Sequence, residues 1–141
     1  MKFAGSTGRR LLLLAPLLGV VVLALPGCGQ GEPGEPVSAS GCDLTRGGRV
    51  FAKCQICHSA EAGGPHIVGP NLYAVLGRRA GTAAGFRYSE PFRGADFTWN
   101  REKLDQYLQD PAEFVGGNWM PFTGLKNPDD RQAVICYLEE S

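Results

Sequence analysis

The chain has 141 residues, the length of one small domain with short extensions. Its 14 lysines and arginines are balanced by 14 aspartates and glutamates, so it lacks the basic excess that binds a polyanion, and nucleic acid is disfavoured as a partner. The 20 glycines and 10 prolines favour loops and turns over long regular elements. The 5 cysteines are then the residues whose chemistry has to be explained.

The N-terminal segment, residues 1–27, has the pattern of an export signal. Lys2, Arg9 and Arg10 form a basic n-region, and residues 11–25 contain no polar side chain. A membrane-spanning helix needs about 20 apolar residues, so this run favours a signal peptide, and a short uncleaved anchor stays open as the alternative. The arginine pair also occurs in twin-arginine signals, although two basic residues are usual in any n-region. In either case the following domain is exported.

Cys28 follows the apolar run in the sequence Leu-Pro-Gly-Cys, which resembles a bacterial lipoprotein signal, although Pro26 replaces the usual small residue. In such signals the cysteine is acylated and becomes the new N-terminus. Residues 29–41 are rich in Gly, Pro and Ser and have no apolar face, which predicts a flexible linker with a span of roughly 20 Å. The lipidated cysteine and linker, residues 28–41, would therefore tether a folded domain at residues 42–141.

Within that domain, apolar residues recur at helical spacing in three places. The first stripe covers residues 44–54, and the second covers residues 104–108 and stops before Pro111. A third helix is predicted to start at Asn127, with Pro128 in its first turn and acidic residues at its positive end. No alternation typical of strands is present, so the domain is predicted to be all-α, with a few short helices.

The sequence Cys-Gln-Ile-Cys-His at residues 54–58 is the pattern of covalent haem attachment. The two thiols can each add to one vinyl group on the same porphyrin edge, and the imidazole of His58 then lies under the ring. A redox-active dithiol is disfavoured because no β-branched run precedes Cys54. A zinc site would need four tetrahedral ligands, for which His66 is a poor fourth candidate. One haem c, bound through Cys54 and Cys57, is the preferred hypothesis.

An electron-carrying haem iron needs a second axial ligand, and Met120 is the main candidate. Met1 is the initiator, whereas Met120 lies in a glycine-rich and proline-bounded loop that can place a side chain over a flat ring. A methionine that only fills a core gap would be expected on an apolar helix face. His66 is the rival, but it lies too near His58 in sequence to reach the opposite face of the ring. The predicted iron ligands are therefore His58 and Met120.

Several short motifs occur in one order, and together they resemble the class I cytochrome c family, in its mitochondrial and alphaproteobacterial type. The matching stretches are residues 47–51, 54–58, 69–72, 77–78, 85–89, 98–99, 107–111 and 119–122. The resemblance covers residues 43–140. It implies the class I cytochrome c fold, in which a few short helices wrap around one covalently bound haem, and an electron carrier rather than an enzyme.

The resemblance also implies roles for residues around the haem. Pro70 matches the residue whose carbonyl accepts a hydrogen bond from the proximal histidine, and Tyr107 matches the tyrosine that donates to the methionine sulfur. Arg78, Tyr88 and Trp99 match the donors around the haem propionates, whose negative charge is costly to bury without a partner.

Three further residues are assigned through the resemblance. His66 matches a structural histidine that binds a loop carbonyl. Cys42 and Cys136 are the two thiols left over, and in an oxidising compartment they are expected to form a disulfide, because the first and last helices of the family cross nearby. Against this bond, Cys136 lies off the apolar stripe of its helix, which indicates an outward-pointing side chain.

These assignments predict a monomeric, membrane-tethered one-electron carrier. Its predicted partners are a quinol-oxidising cytochrome complex and a terminal oxidase, and its predicted location is the periplasm or the outer face of the cytoplasmic membrane. The alternative is an electron-transfer subunit of a larger periplasmic or membrane dehydrogenase or reductase. His/Met ligation favours both over ligand sensing, since it closes the iron and raises the reduction potential.

The charge of the domain departs from the mitochondrial pattern, in which lysines surround the haem edge. Ala112, Glu113 and Trp119 stand at matching positions, and Lys53 and Lys126 remain. From residue 42 onward the sequence has 11 basic and 12 acidic side chains, a net charge of −1. Long-range attraction to an acidic partner is therefore expected to be weak.

Overall fold

The computed structural model describes residues 41–141, which contain five helices, a β-bridge between Arg79 and Thr98, and no sheet. The helices are α1 (Leu44–Phe51), α2 (Glu90–Arg93), α3 (Arg101–Gln109), α4 (Pro111–Phe114) and α5 (Pro128–Glu139). The prediction of an all-α domain made of short helices is confirmed. Within this region no helix is long and apolar enough to cross a membrane. The predicted signal, Cys28 and the linker up to residue 40 lie outside the described residues.

Side chains cap the starts of four helices, where the first backbone N–H groups have no partner inside the helix. The capping residues are Asp43, Asn100, Asp110 and Asn127, each of which accepts a hydrogen bond from an N–H of the first turn. The predicted start of α5 at Asn127 is confirmed. Pro111 ends α3 as expected but also opens α4, a turn too short to show an apolar period.

The first helix is shorter than its apolar stripe. Helix α1 ends at Phe51, and the N–H of Cys54 donates to the Phe51 carbonyl at 2.7 Å, three residues back. This tighter turn replaces the four-residue spacing of the α-helix. Cys54 therefore lies in a turn that follows α1, although its position in the sequence continued the stripe.

Helices α1 and α5 cross at Gly47, where the two backbones nearly touch. A Cβ atom on Gly47 would collide with the carbonyl oxygen of Ala133 and lie 2.8 Å from the Cβ of Tyr137. Beside the crossing, the rings of Phe51 and Tyr137 stack with their centroids 5.0 Å apart. Phe51 and Ile135 are almost completely buried. The crossing is therefore closely packed and depends on the missing side chain of one glycine.

A disulfide joins Cys42, just before α1, to Cys136 in α5. Cys136 is buried, and its sulfur accepts a hydrogen bond from the guanidinium of Arg101 at 3.3 Å. The expectation that its side chain points outward is wrong. Helix α5 has α1 on one side and α3 on another, so positions off its main stripe are also covered.

An ion pair fastens α3 to α5 on the other side of the helix. Nε of Arg131 lies 2.8 Å from a carboxylate oxygen of Asp105, and the same guanidinium donates to the carbonyl of Leu125 at 2.9 Å. Arg131 is buried, so its charge depends on these partners. Helix α5 is thus held by contacts along most of its circumference.

We predict that Gly47→Ala lowers the free energy of unfolding by about 1–3 kcal/mol, because the added methyl group overpacks the crossing. Gly48→Ala is the matched control, since its Cβ would lie 3.7 Å from the Tyr137 ring, an ordinary contact. Urea unfolding of both variants measures the difference. Equal stabilities would contradict the close crossing.

We predict that replacing both Cys42 and Cys136 by alanine lowers the free energy of unfolding by roughly 4 kcal/mol, because the disulfide closes a loop with a sequence separation of 94 residues. Guanidinium unfolding with and without a reductant should separate wild type from the double variant, which has no bond to lose. Thiol titration of the denatured, unreduced protein would contradict the disulfide if it found two free thiols.

Candidate functional site

The turn after α1 brings two thiols and an imidazole together. The N–H groups of Cys57 and His58 both donate to the carbonyl of Cys54 at 2.9 Å, which folds residues 54–58 into one compact turn. Both thiols are partly buried and belong to no disulfide. Burial raises the pKa of the Cys54 thiol. Hydrogen bonds between neighbouring residues are thus enough to bring the two thiols and the imidazole together.

The imidazole of His58 is oriented by the next loop. Its Nδ1 lies 2.7 Å from the carbonyl oxygen of Pro70, so Nδ1 carries the proton and donates, and the lone pair is at Nε2. Burial lowers the pKa of His58, which keeps the ring neutral. A neutral imidazole with a bonded Nδ1–H is the form that ligates a metal, and the bond to a carbonyl increases its basicity.

Gly69 leaves the space that the imidazole ring of His58 occupies. A Cβ atom at this position would collide with the imidazole ring of His58. The N–H of Gly69 also donates to the carbonyl of Cys57 at 2.8 Å. This bond joins the loop that contains Gly69 to the turn formed by residues 54–58. Sequence analysis placed Gly69 only within a family motif and missed its packing role. That role depends on a contact across eleven positions of the chain.

Met120 lies in the loop after α4, and Asn118 shapes that loop. The amide nitrogen of Asn118 donates to the carbonyls of Pro111 at 2.7 Å and Val115 at 2.8 Å. Its amide oxygen accepts a bond from the N–H of Met120 at 2.9 Å. The hydroxyl of Tyr107 then donates to Sδ of Met120 at 3.5 Å. Hydrogen bonds therefore position Met120 at both its backbone N–H and its side-chain sulfur.

An aromatic cluster connects Tyr107 to two other predicted site residues. The ring centroid of Tyr107 lies 5.1 Å from that of Trp99 and 5.8 Å from that of Phe92, and the Phe92 ring lies 5.8 Å from Tyr88. Phe92, on the short helix α2, thus stands between the predicted residues, and sequence analysis did not identify it. Burial raises the pKa of Tyr107, so its phenol stays protonated and remains a donor.

Arg78 is half-buried beside the His58 loop. Its guanidinium donates to the carbonyl of Asn71 at 2.9 Å, directly after Pro70 in the chain. Burial lowers the pKa of Arg78, and the phenol of Tyr88 opposes that shift. A partly buried cation of this kind is stabilised by an anion.

Ser89 provides a further polar group next to Tyr88. It is buried, it makes no side-chain cap for α2, and among the described residues its hydroxyl has no hydrogen-bond partner. An unsatisfied buried hydroxyl costs about 1–3 kcal/mol, so such a group is expected to serve a ligand. The Ser89 hydroxyl and the Arg78 cation are groups of the type that can stabilise a buried carboxylate, and sequence analysis did not single out Ser89.

His66 links two loops through its ring nitrogens. Its Nδ1 accepts a bond from the N–H of Asn71 at 2.9 Å, and its Nε2 lies 2.9 Å from the carbonyl of Ala84. Both ring nitrogens are engaged, so His66 is not available as a fourth zinc ligand or as a second iron ligand. Its place between two loops agrees with the structural role that the family resemblance implies.

The residues present therefore fit a covalently bound haem. Two thiols lie next to a neutral, oriented histidine, and a thioether accepts a hydrogen bond. Among the described residues, the buried Ser89 hydroxyl has no partner, and the half-buried Arg78 interacts with Tyr88 of the aromatic cluster. Fold and site together define a small haem protein of the electron-transfer class.

Similar proteins agree with this description. The chain is 47% identical over 100 residues to cytochrome c of Chlamydomonas reinhardtii, which covers 70% of this chain and 89% of that protein. It is 51% identical over 90 residues to cytochrome c2 iso-2 of Magnetospirillum fulvum, covering 64% and 93%. It is 42% identical over 96 residues to cytochrome c2 of Rhodomicrobium vannielii, covering 68% and 77%. No protein-family model matches the chain.

The chain belongs to the cytochrome c family. It is an electron carrier and not an enzyme, and it holds one haem c through Cys54 and Cys57, next to His58. The predicted family, fold and cofactor are confirmed.

We predict that Gly69→Ala lowers the yield of holoprotein, because the added methyl group displaces the His58 ring. Gly94→Ala is the matched control, since its Cβ would lie 3.7 Å from the carbonyl oxygen of Glu90, an ordinary contact. The ratio of covalent haem to protein, read from absorption spectra, measures the effect. A normal yield and spectrum for Gly69→Ala would contradict the close packing of Gly69 against His58.

Proposed function

We propose that this cytochrome is a membrane-tethered one-electron carrier in which His58 and Met120 are the axial iron ligands. The observation that supports this most directly is the hydrogen bond from the Tyr107 hydroxyl to Sδ of Met120 at 3.5 Å. A methionine with its sulfur oriented in this way, in a loop shaped by Asn118, is arranged as a ligand and not as a gap filler.

The protein residues around the site have distinct tasks. When bound, the haem supplies a one-electron iron couple. His58 and Met120 would both hold the iron, which would leave no open site for a substrate, and a thioether ligand would raise the potential relative to two histidines. Pro70 orients His58 through Nδ1, and Tyr107 orients the sulfur. Ligands that are already oriented need little rearrangement when the iron changes its oxidation state.

The propionates of the haem are proposed to bind Arg78, Tyr88, Ser89 and Trp99. This assignment is supported by the half-buried guanidinium of Arg78 and by the unpartnered hydroxyl of Ser89. Buried carboxylates are tolerable only when hydrogen-bond donors or cations satisfy them. Tyr88 and Trp99 flank Phe92 in the aromatic cluster and add an O–H and an N–H donor.

The proposed setting is the periplasm or the outer face of the cytoplasmic membrane. The signal-like pattern of residues 1–27 and the lipoprotein-like Cys28 support export and tethering. The disulfide between Cys42 and Cys136 suits an oxidising compartment. The proposed route takes electrons from a quinol-oxidising cytochrome complex to a terminal oxidase.

We expect the ferrous wild-type protein to bind carbon monoxide poorly at neutral pH, because Met120 blocks the sixth position. Met120→Ala should keep its covalent haem, lose the sulfur-to-iron band near the red end of the visible spectrum and bind carbon monoxide readily. Tyr107→Phe is the control, since it removes the hydrogen bond but leaves the sulfur. Survival of the band in Met120→Ala, or rapid carbon monoxide binding by wild type, would refute this ligation.

We expect Cys28→Ser to release the cytochrome from membranes or to trap an uncleaved precursor, because a multiply acylated N-terminus anchors stably where one chain is marginal. Membrane fractionation and intact mass measure this, and the lipid-sized mass of the mature form should disappear. Gly48→Ala is the control, because it adds only an ordinary contact within the folded domain and leaves the tether. An unmodified mature N-terminus downstream of Cys28 would contradict lipidation.

A further inference from the structure

The large hydrophobic side chains exposed within residues 41–141 are unevenly distributed. They are Ile56 at 76%, Val68 at 69%, Trp119 at 61%, Ile67 at 51% and Tyr73 at 42% exposure. Isolated exposed apolar residues are normal on any protein surface. Here Ile56 and Trp119 belong to the segments that carry the proposed iron ligands, and Ile67 and Val68 belong to the loop that is hydrogen-bonded to the His58 turn.

Three of these residues lie on the His58 side. Ile56 is between the two haem-binding cysteines, two positions before His58. Ile67 and Val68 precede Gly69, whose N–H is bonded to the carbonyl of Cys57 at 2.8 Å, so the two segments lie side by side. Their apolar side chains therefore border the turn that attaches the haem.

The fourth residue lies on the Met120 side. Trp119 directly precedes Met120 in the loop organised by Asn118, and the guanidinium of Arg87 lies 5.7 Å from the centroid of its indole ring. A cation over the ring face holds a large exposed aromatic side chain in place. Tryptophan is one of the side chains that are enriched at the centre of binding surfaces.

We propose that Ile56, Ile67, Val68 and Trp119 form an apolar rim that binds the redox partner protein, and that this partner presents an apolar, largely uncharged face. The inference rests on the proposed carrier function, because electrons must pass through a part of the surface close to the iron. The surface beside the segments that carry the iron ligands is therefore where the partner is expected to bind. The rim then supplies the recognition that a charged surface would otherwise supply.

The size of the rim favours a transient partner over a second copy of the chain. Four side chains of this exposure leave roughly 500 Å² of apolar surface, within the range of functional surface patches. A stable complex buries about 800 Å² on each partner, whereas weak electron-transfer contacts lie at the low end of interface sizes. A carrier must also leave after each transfer, which a small apolar contact permits.

The charges near the rim agree with an apolar partner face. The four rim side chains carry no charge. Lys53 directly precedes the turn that carries Ile56, and Arg87 contacts the Trp119 ring from another loop; both cations are exposed. The 11 basic and 12 acidic residues from position 42 onward give no strong field that could steer a partner from a distance. The partner best suited to this surface has an apolar centre with few carboxylates at its edge.

The test uses the full-length holoprotein and the quinol-oxidising complex and terminal oxidase purified from the same cells. Stopped-flow rate constants for electron transfer are measured from low to high ionic strength. The wild-type rate should change less than about threefold, against tenfold or more for charge-steered pairs. Val68→Ser and Trp119→Ser should each slow transfer roughly tenfold, as loss of a central contact does.

Tyr73→Ser is the matched control, an exposed aromatic outside the rim, and its rate should stay within about twofold of wild type. The midpoint potential and the methionine-to-iron band of each variant should be unchanged, which separates lost docking from lost ligation. Normal rates in Val68→Ser and Trp119→Ser, or a steep fall of the wild-type rate with salt, would overturn the proposal.

Other occupants of the rim would be recognised by different results. A shift in sedimentation coefficient caused by the rim variants would assign the surface to self-association. In Cys28→Ser protein, which lacks the proposed tether, loss of binding of the rim variants to phosphatidylcholine vesicles without loss of rate would assign the surface to a lipid. A wild-type protein that neither complex reduces or oxidises, although ascorbate reduces it normally, would refute the proposed route and its two partners. Each of these results excludes a redox-partner rim.

Discussion

The close crossing of α1 and α5 at Gly47 is the constraint on which the rest of the domain depends. Helix α1 has only 8 residues, too few to be stable alone in water. It persists because it packs on α5, and the turn that holds the haem is its direct continuation. The disulfide from Cys42 to Cys136 reinforces the same pair of helices. The haem-binding turn therefore stays folded only as long as α1 stays packed on α5.

Beyond that crossing, the site is built mostly from loops, which single hydrogen bonds hold in place. Pro70 orients His58, Asn118 shapes the Met120 loop, and His66 joins two loops through both of its ring nitrogens. Loops of this kind, rich in Gly and Pro, gain little from regular backbone bonding. The haem that residues 54–58 hold would supply apolar interior surface that such loops cannot supply by themselves.

Tethering and an apolar rim would together explain the balanced charge of the domain. A carrier free in solution benefits from charge that guides it to its partner. A carrier held on the same membrane as its partner already has a high effective concentration, so its surface needs only to recognise the partner at contact. Trp119, steadied by Arg87, suits such short-range recognition.

The sequence by itself determined the chemistry of the haem-binding turn and the ends of the helices, because both depend on neighbouring residues. The spacing of Cys54, Cys57 and His58, and the cap of α5 at Asn127, needed no knowledge of distant contacts. Only the tertiary structure decided that Cys136 is buried, that Phe92 joins the aromatic cluster, and that Gly69 makes room for the imidazole. These features arise where segments far apart in the chain meet, and no local pattern of side chains encodes how closely two backbones approach.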